Sequence, residues 1–417
     1  MRHMKREWSS LIEFSKQQIQ NIQKEPGLRL YGFFLSLTHL WSFLYWKQGD
    51  FFIHSQSGLN SEALCFPFFP NCDVWRSLLS LSQWSYVLWT YGLFSLMITL
   101  LFLFEKKSKW SYWGFTILTL TKLSLHLSNY NFMGNYHYMI HCLSFLFLWA
   151  SHKKQIIKYF LVAFYISAGL LKVNLDWLSG AAMISQPLLS GKFLSFSLFY
   201  VVLLELVFVF ALLSSKKFLR WTALVQLLAF HAFSWHIVGF FYPLVMFSLL
   251  SLFFIDEFLY FKGKIQIPSL GQDLIRGQAA KSTYLLLVLF WLLQASPYLI
   301  TSDPSLSGAA RLGSLNMFDA NTECHPLLVV HKGNQWIHLD RPLRSLGVRL
   351  NCDPLVYLNQ AHKLCRKQKE TPEFKKLTLS LLSKRVTGSE YIKILDLQDV
   401  CALSFPLWGE FASGSEL

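Results

Sequence analysis

The sequence predicts an all-α polytopic membrane bundle of about nine transmembrane helices, followed by a small α+β domain outside the cytoplasm. Two observations carry this prediction. The 417 residues are 53% hydrophobic and only 15% charged, which is too apolar for a soluble globular protein of this length. Apolar stretches about as long as a bilayer is thick recur between residues 29 and 299, and basic residues cluster between them.

The segment 1–28 is polar and basic, and it lacks the apolar run and small-residue cleavage site of a signal peptide. We therefore expect an amphipathic surface helix there, on the cytoplasmic side. The transmembrane domain then covers residues 29–299, and nine stretches in it are long enough, or nearly so, to span a bilayer. These stretches are 29–46, 84–104, 112–129, 137–151, 158–173, 193–214, 219–238, 243–261 and 282–299.

The distribution of basic residues predicts the orientation. With the N-terminus in the cytoplasm, nineteen lysines and arginines fall in segments on the inside and three fall in loops on the outside. This bias follows the positive-inside rule. It also explains the net charge of +14 without a nucleic-acid partner, since the basic residues lie between apolar runs. An odd number of spans places residues 300–417 outside.

Residues 300–417 differ in kind from the rest of the chain, because charged and turn-forming residues interrupt short alternating apolar runs. This pattern predicts that the segment forms a small extracytoplasmic α+β domain with a helix over 354–367. The runs that predict strands are Leu327–His331, Trp336–Leu339, Leu377–Leu382 and Tyr391–Leu395.

Six of the seven cysteines fall on the predicted outer side, and Cys142 lies inside the fourth span. An even number of cysteines on an oxidising face favours disulfides, although six cysteines allow 15 pairings. A metal site is the competing interpretation, but the sequence has no CxxC pair and we expect no metal. The six candidates for disulfides are Cys65, Cys72, Cys324, Cys352, Cys365 and Cys401.

Polar residues inside the predicted spans concentrate towards the outer side of the membrane. Any one of them could simply cap a helix or bond across the bundle. Together they outline a polar cavity that opens to the outside, whereas His39 and Asp256 are interpreted as ordinary interfacial residues. The residues of this group are Lys122, His126, Asn129, Asn135, His137, His141, Lys172, Asp176, His231, Ser234 and His236.

Lys172 stands out because it ends an apolar stretch that begins near Tyr159. An ionisable side chain at such a position is a candidate functional group, although a lysine near a helix end can also reach the headgroups by snorkelling. A carboxylate four residues later, Asp176, is the potential ion-pair partner. If Lys172 is instead an unpaired buried amine, its replacement by alanine is expected to leave folding nearly intact.

The string Ala168-Gly169-x-x-Lys172-Val173-x-x-Asp176-Trp177-Leu178-x-Gly180 resembles the signature of the vitamin K-dependent γ-carboxylase family and its bacterial relatives, which share the horizontally transferred transmembrane domain. Asn135-Tyr-His-Tyr-Met resembles the family's Asn-His-x-Tyr-Leu segment, with Tyr136 in the place of the histidine and His137 next to it. The stretch from His231 to Met246 resembles a third segment, with Ser234 where the family has asparagine.

The resemblance continues beyond the spans. Ser314-Leu-Asn-Met-Phe resembles a degenerate form of the family's Trp-x-Met-Met/Phe segment. Asp353-Pro, Gln360-Ala, the run 377–386 and Leu395-Asp-Leu-Gln-Asp follow the order of the family's first lumenal segment. The chain is far shorter than the animal carboxylase.

The resemblance implies an integral membrane enzyme of the bacterial cytoplasmic membrane, in which Lys172 is the base and His137 and His231 assist it. It implies reduced vitamin K of the menaquinol type as cofactor, bound near Asn135, Tyr136, Ser234, Trp177 and His126. O2 and CO2 are the co-reactants, and the base drives carboxylation, or a related oxidation, of an exported peptide. No metal takes part.

Two other functions stay open. The altered positions Tyr136 and Ser234 favour a member that lost the chemistry and serves as a membrane scaffold or an export subunit. A transporter that uses the outer cavity is a third possibility, but the sequence shows no repeat or pair of broken helices of the kind that transporters have.

Overall fold

The computed structural model describes residues 2–49, 65–66, 69, 72–132, 134–183, 185, 187–261, 278–301, 303–308, 313–315, 321–339, 352–368 and 373–403. Helices dominate, and a small antiparallel sheet lies in the C-terminal region. The helices before residue 301 are α1 (Arg2–Lys24), α2 (Pro26–Gln48), α3 (Cys72–Ser77), α4 (Leu81–Leu101), α5 (Ser108–Leu127), α6 (Asn135–Trp149), α7 (Lys153–Leu171), α8 (Leu175–Ser179), α9 (Gly191–Leu206), α10 (Lys217–Val238), α11 (Phe241–Phe261) and α12 (Gln278–Ile300).

Five segments of the described chain are helical, long enough and apolar enough to cross a membrane. They indicate a membrane protein. These segments are Ser82–Leu101, Lys153–Leu171, Gly191–Leu213, Lys217–Val238 and Phe241–Leu259.

Helices also cover the other four predicted spans, but they are shorter or more polar. Helix α6 has 15 residues, and the apolar part of α12 is confined to Tyr284–Ile300. Helix α5 carries Lys122 and His126, and α2 has Arg29 and Lys47 near its two ends. Helices α2 and α5 are less apolar than the helices of the other predicted spans, and several of their polar side chains are buried against neighbouring helices.

Helix starts follow the local sequence. Pro26 begins α2, where its fixed φ suits the first turn and its missing N–H leaves no donor unmet. Ser80 and Gln83 form a capping box at the start of α4, each side chain bonding the backbone N–H of the other residue. Helix α2 then packs against α4 and α11 and lies at the centre of the bundle.

Buried charges connect the helices at the end of the bundle where α7 begins. Asp256 of α11 forms ion pairs with Lys158 and, at 2.6 Å, with Lys154 of α7. Lys154 also binds Glu25 at 3.0 Å. Asp256 and His39, which were interpreted as ordinary interfacial residues, are both buried in the protein, and His39 bonds the Tyr91 hydroxyl at 3.0 Å.

The C-terminal region forms a four-stranded antiparallel sheet in the order β2-β1-β3-β4, with α14 packed on one face. The four predicted strands and the helix are confirmed, each with longer or slightly shifted bounds. The elements are α13 (Pro304–Ser307), β1 (Thr322–Lys332), β2 (Gln335–His338), α14 (Pro354–Gln368), β3 (Phe374–Arg385) and β4 (Ile392–Leu397).

The six predicted cysteines are paired, and Cys142 is free. One disulfide closes the short loop before α3, one joins β1 to the start of α14, and one joins α14 to the segment after β4. The pairs are Cys65–Cys72, Cys324–Cys352 and Cys365–Cys401.

The C-terminal domain sits on the end of the bundle where α5, α7 and α12 finish, which we call the capped end. The hydroxyl of Tyr130, just after α5, donates to Asp353 Oδ2 at 2.9 Å. Asn359 of α14 donates to the carbonyl oxygen of Cys65 at 3.3 Å. Phe66 and Tyr130 are part of the same apolar core as the sheet, so this domain completes its core with loops of the bundle.

Candidate active site

Lys172 lies where helix α7 ends at the capped end. It is the C-cap residue of α7, and the chain then turns into the short helix α8. Asn174 starts α8 by accepting the Trp177 backbone N–H at 2.9 Å, and Gly180 ends it with a φ of 82°. Such a left-handed conformation suits glycine, which has no Cβ. The residues of the Lys172 motif thus form the end of α7, the tight turn after it and the short helix α8.

The Lys172 ammonium forms an ion pair with a glutamate that sequence reasoning missed. Nζ of Lys172 lies 2.5 Å from Oε2 of Glu205, which is on α9. The side chains are 4% and 0% exposed. Lys172 Nζ also lies 5.2 Å from the centre of the Trp177 ring, within the range of a cation–π interaction.

A glycine lets α9 approach α7 closely enough for this pair. A Cβ on Gly169 would lie 2.8 Å from Cδ2 of Leu206 and 3.1 Å from Cβ of Glu205. Both distances are shorter than normal van der Waals contact, so a larger residue would push the two helices apart. Gly169 stands one turn before Lys172 and therefore fixes the distance over which the lysine reaches the glutamate.

Asp176 does not pair with Lys172, contrary to the potential pairing in the sequence. Its carboxylate accepts hydrogen bonds from Arg385 Nη1 at 3.2 Å, from the Thr387 backbone N–H at 3.3 Å and from the Thr387 hydroxyl. The ion-pair partner of Asp176 is therefore Arg385, at the end of β3, and not Lys172.

Arg385 holds the C-terminal domain to the Lys172 turn. Besides Asp176, it binds Asp303 through Nε at 2.7 Å and Nη2 at 2.8 Å. Partial burial by itself would lower the pKa of the Arg385 guanidinium. The hydrogen bonds from Asp303 and Asp176 outweigh that effect and raise its pKa above the ordinary value, so Arg385 stays cationic.

A cavity of about 720 Å³ lies beside Lys172. Its wall is mostly apolar and aromatic, and it includes Phe164, Phe230 and Met246. A few polar groups interrupt it, among them Tyr200 and Gln226, which are joined by a 2.8 Å hydrogen bond. Five residues predicted from the sequence line the cavity: Asn135, Tyr136, Lys172, Trp177 and Ser234.

The cavity reaches the outer surface of the helical bundle. Leu188 and Phe233 line it and are also exposed, by 63% and 68%. Large apolar side chains on the surface of a bundle of spanning helices face lipid. This side of the cavity is therefore apolar where it meets the surface of the bundle.

The predicted histidines do not line the cavity. His231 is directly behind the wall, where Nε2 lies 2.7 Å from the hydroxyl of Tyr165, a lining residue. His126 and His137 lie in a separate cluster around Lys122, with their rings 5.3 Å apart. The structure thus places His231 behind the cavity wall, bonded to a tyrosine that lines the cavity, and leaves the other two histidines in the group around Lys122.

Glu205 was detectable in the sequence, because it is the sole charged residue in the apolar run 193–213. Arg385 gave no comparable signal, since it is one of many basic residues in a polar region. Within the ranges that the structure describes, no three His, Cys, Asp or Glu side chains are grouped so as to hold a metal ion.

Comparisons with protein-family models, with curated proteins and with solved structures found no match to this chain.

Proposed function

We propose that this chain is a membrane enzyme of the vitamin K-dependent carboxylase type, in which the Lys172–Glu205 pair takes a proton from a reduced quinone. The observation that supports this proposal is a lysine amine, paired with a buried carboxylate, at the wall of a cavity that is apolar where it meets the surface of the bundle. Glu205 thereby joins Lys172 as a candidate catalytic residue.

The cavity suits a menaquinol-type molecule. Its volume falls within the range of about 300–1,000 Å³ that is usual for sites of small ligands. Aromatic side chains offer faces for a flat ring, while Lys172, Tyr165 and Gln226 offer polar atoms for ring oxygens. The apolar side of the cavity at Leu188 and Phe233 would accept an isoprenoid tail from the membrane.

The pair gives the site a way to free an amine. A lysine acts as a base only in its neutral form. If the Lys172 proton moves to Glu205, both groups become neutral, a state that a water-poor interior favours over two separate charges. The free amine then accepts a proton from a hydroxyl group in the cavity, and Glu205 keeps the first proton.

A reduced quinone bound there with O2 would supply the strong base that removes a proton from the γ-carbon of a peptide glutamate before CO2 adds. The protein's part is to hold the lysine, to exclude water and to position the turn that carries it. Asp176, Arg385 and Asp303 fix that turn, and the C-terminal domain that they anchor would meet an exported peptide.

The proposal includes a topology. We place nine spans in the bacterial cytoplasmic membrane, with the N-terminus inside and the capped end outside. Reporter fusions after Lys109, Lys154 and Lys217 should then report the cytoplasm, and a fusion after Asp303 should report the outside. An inside signal at Asp303 would contradict this orientation.

A scaffold without chemistry is the second candidate. The tight contact between Lys172 and Glu205 is the observation that favours it, because a buried ion pair can also serve only to join two helices. The substitutions at Tyr136 and Ser234 agree with this function.

The deciding experiment is quinone epoxidation by the purified full-length protein in lipid nanodiscs, with a menaquinol-type hydroquinone and O2. We expect product from the wild type and none from Lys172→Met. Lys192→Met is the matched control, since Lys192 is an exposed lysine of α9, and it should stay active. A wild-type protein without epoxide, or a fully active Lys172→Met variant, would refute the enzyme proposal and favour the scaffold.

A further inference from the structure

A second buried lysine, Lys122 of α5, lies among four histidines and does not take part in the proposed reaction. Lys122, His39 and His137 are fully buried, and His126 and His141 are 6% and 8% exposed. They come from three helices, α2, α5 and α6. His126 lies one turn after Lys122 on α5, and its ring centre is 5.3 Å from that of His137 and 5.2 Å from that of His141. We call these five residues the Lys122 cluster.

The Lys122 amine has no hydrogen-bond partner within the described part of the chain. Three other buried lysines of the spanning helices do have partners. Lys153 donates to two backbone carbonyls, Lys158 binds Asp256 and Lys172 binds Glu205. A buried ammonium without a partner is costly, so an anion bound at Lys122 would stabilise its charged form.

The rings around Lys122 also have unused polar atoms. His137 has no partner at either nitrogen, and Nε2 of His126 and Nδ1 of His141 are likewise unpaired among described groups. The remaining nitrogens of His126 and His141 lie 3.0 Å apart. Next to His137, at 5.4 Å between ring centres, Trp46 has a buried indole N–H that no group in the described part of the chain accepts.

The chemistry of these groups selects the ligand. An ammonium and an indole N–H only donate, and each imidazole can offer one N–H. No carboxylate of the described residues pairs with Lys122, and the histidines are not grouped to hold a metal ion. What the described surroundings of the cluster lack is a negatively charged acceptor.

We propose that the Lys122 cluster binds a small monovalent anion of halide or bicarbonate size, with Lys122 as its counter-ion. His137 and its neighbours supply the N–H groups that replace the anion's hydration shell. The site is separate from the cavity at Lys172, because the ring of His137 packs behind Tyr136 and Phe241, two residues of the cavity wall.

The Lys122 cluster lies near the capped end of the bundle. Lys122 lies one helical turn before His126, and α5 ends at Leu127. The ring of Phe66 covers His126 at 5.5 Å between ring centres, and it belongs to the loop that the Cys65–Cys72 disulfide closes. An anion that enters from the capped end would therefore have to pass Phe66 and the apolar core that Phe66 shares with the C-terminal domain.

The test is anomalous X-ray scattering from crystals of the full-length protein grown in bromide. We expect an anomalous peak within contact distance of Lys122 Nζ. A parallel series of unfolding midpoints, measured at constant ionic strength with gluconate as the bulky reference anion, should rise with bromide concentration. Addition of bicarbonate to these crystals distinguishes the two candidate anions. The bromide peak disappears if the site prefers bicarbonate and remains if the site prefers a halide.

The variants Lys122→Met and Lys172→Met form a matched pair of buried lysines. The first should lose the anion-dependent rise in midpoint and the second should keep it. If Lys122→Met fails to fold, the wild-type map and midpoints still decide. A wild type without a bromide peak, a density that behaves as water only, or a midpoint that ignores the anion would overturn the proposal, whatever the outcome of the epoxidation assay.

Discussion

Replacing Lys172 by methionine tests the buried ion pair most directly. Methionine keeps an unbranched apolar side chain but removes the ammonium, so Glu205 loses the partner at 2.5 Å. Glu205 is fully enclosed, and its second oxygen, Oε1, has no partner among the described groups. Removing one member of a buried pair costs about 3–5 kcal/mol, because the remaining charge is neither hydrated nor neutralised. We expect a loss of that size in the free energy of unfolding. The expectation that Lys172 can be removed at little cost assumed an unpaired amine, and the ion pair with Glu205 contradicts that assumption.

The double variant Lys172→Met/Glu205→Leu supplies the second half of the test. It removes both charges and fills the space with apolar side chains, so no charge is left buried without a partner. Such replacements are often neutral or stabilising by about 1–4 kcal/mol. We therefore expect each single variant to be much less stable than the double variant, which gives a large coupling energy between the two positions.

The assay is denaturant unfolding in detergent micelles, followed by tryptophan fluorescence. The four proteins compared are the wild type, Lys172→Met, Glu205→Leu and the double variant. Lys192→Met is the control for the loss of a lysine as such, and a surface change of this kind should stay within about 0.5 kcal/mol of the wild type. A Lys172→Met variant as stable as this control, or single and double variants whose effects simply add, would refute the buried pair.

Three further predictions concern the support of the site. Arg385→Ala should strand the buried carboxylate of Asp176 and loosen the turn after α7, which hydrogen exchange of residues 172–183 measures as faster exchange. Gly169→Ala should cost about 1–3 kcal/mol of unfolding free energy through overpacking, because its Cβ would lie 3.1 Å from that of Glu205. Mass spectrometry of the unreduced protein should find three disulfides and one alkylatable thiol, Cys142.

Each of these predictions has a control. Arg385→Lys keeps the positive charge but loses the two-pronged contact with Asp303. We therefore expect the hydrogen exchange of residues 172–183 in Arg385→Lys to lie between that of the wild type and that of Arg385→Ala. Gly27→Ala adds a Cβ that meets ordinary contacts of 3.5 Å or more, and it should not destabilise the protein. Unchanged hydrogen exchange in Arg385→Ala would contradict the first prediction. Equal stability of Gly169→Ala and Gly27→Ala would contradict the second. Six alkylatable thiols besides Cys142 would contradict the third.

The sequence by itself determined the elements of the fold. Apolar runs of membrane length became helices, because an apolar segment hides its backbone polar groups most completely in a helix. Short alternating runs after residue 320 became the four strands, since alternation matches the two faces of a sheet. The position of the six outer cysteines indicated disulfides, and the connectivity, which six cysteines leave open, came from the distances between them in the folded chain.

Only the tertiary structure decided which carboxylate meets Lys172. The spacing of four residues to Asp176 suggested a pair on one helix face, but α7 ends at Leu171 and the chain turns, so that spacing no longer places the two side chains together. The partner comes from Glu205, 33 residues away, and Asp176 is taken by Arg385, 209 residues away. Contacts at such separations depend on how whole helices and sheets pack.

The same holds for the histidine next to Tyr136. Successive residues of a helix point about 100° apart, since a turn contains 3.6 residues. On α6, Tyr136 therefore lines the cavity while His137 points to the Lys122 cluster. Sequence proximity brought these two residues into one predicted site, and the rotation of a single helix position assigned them to two different ones.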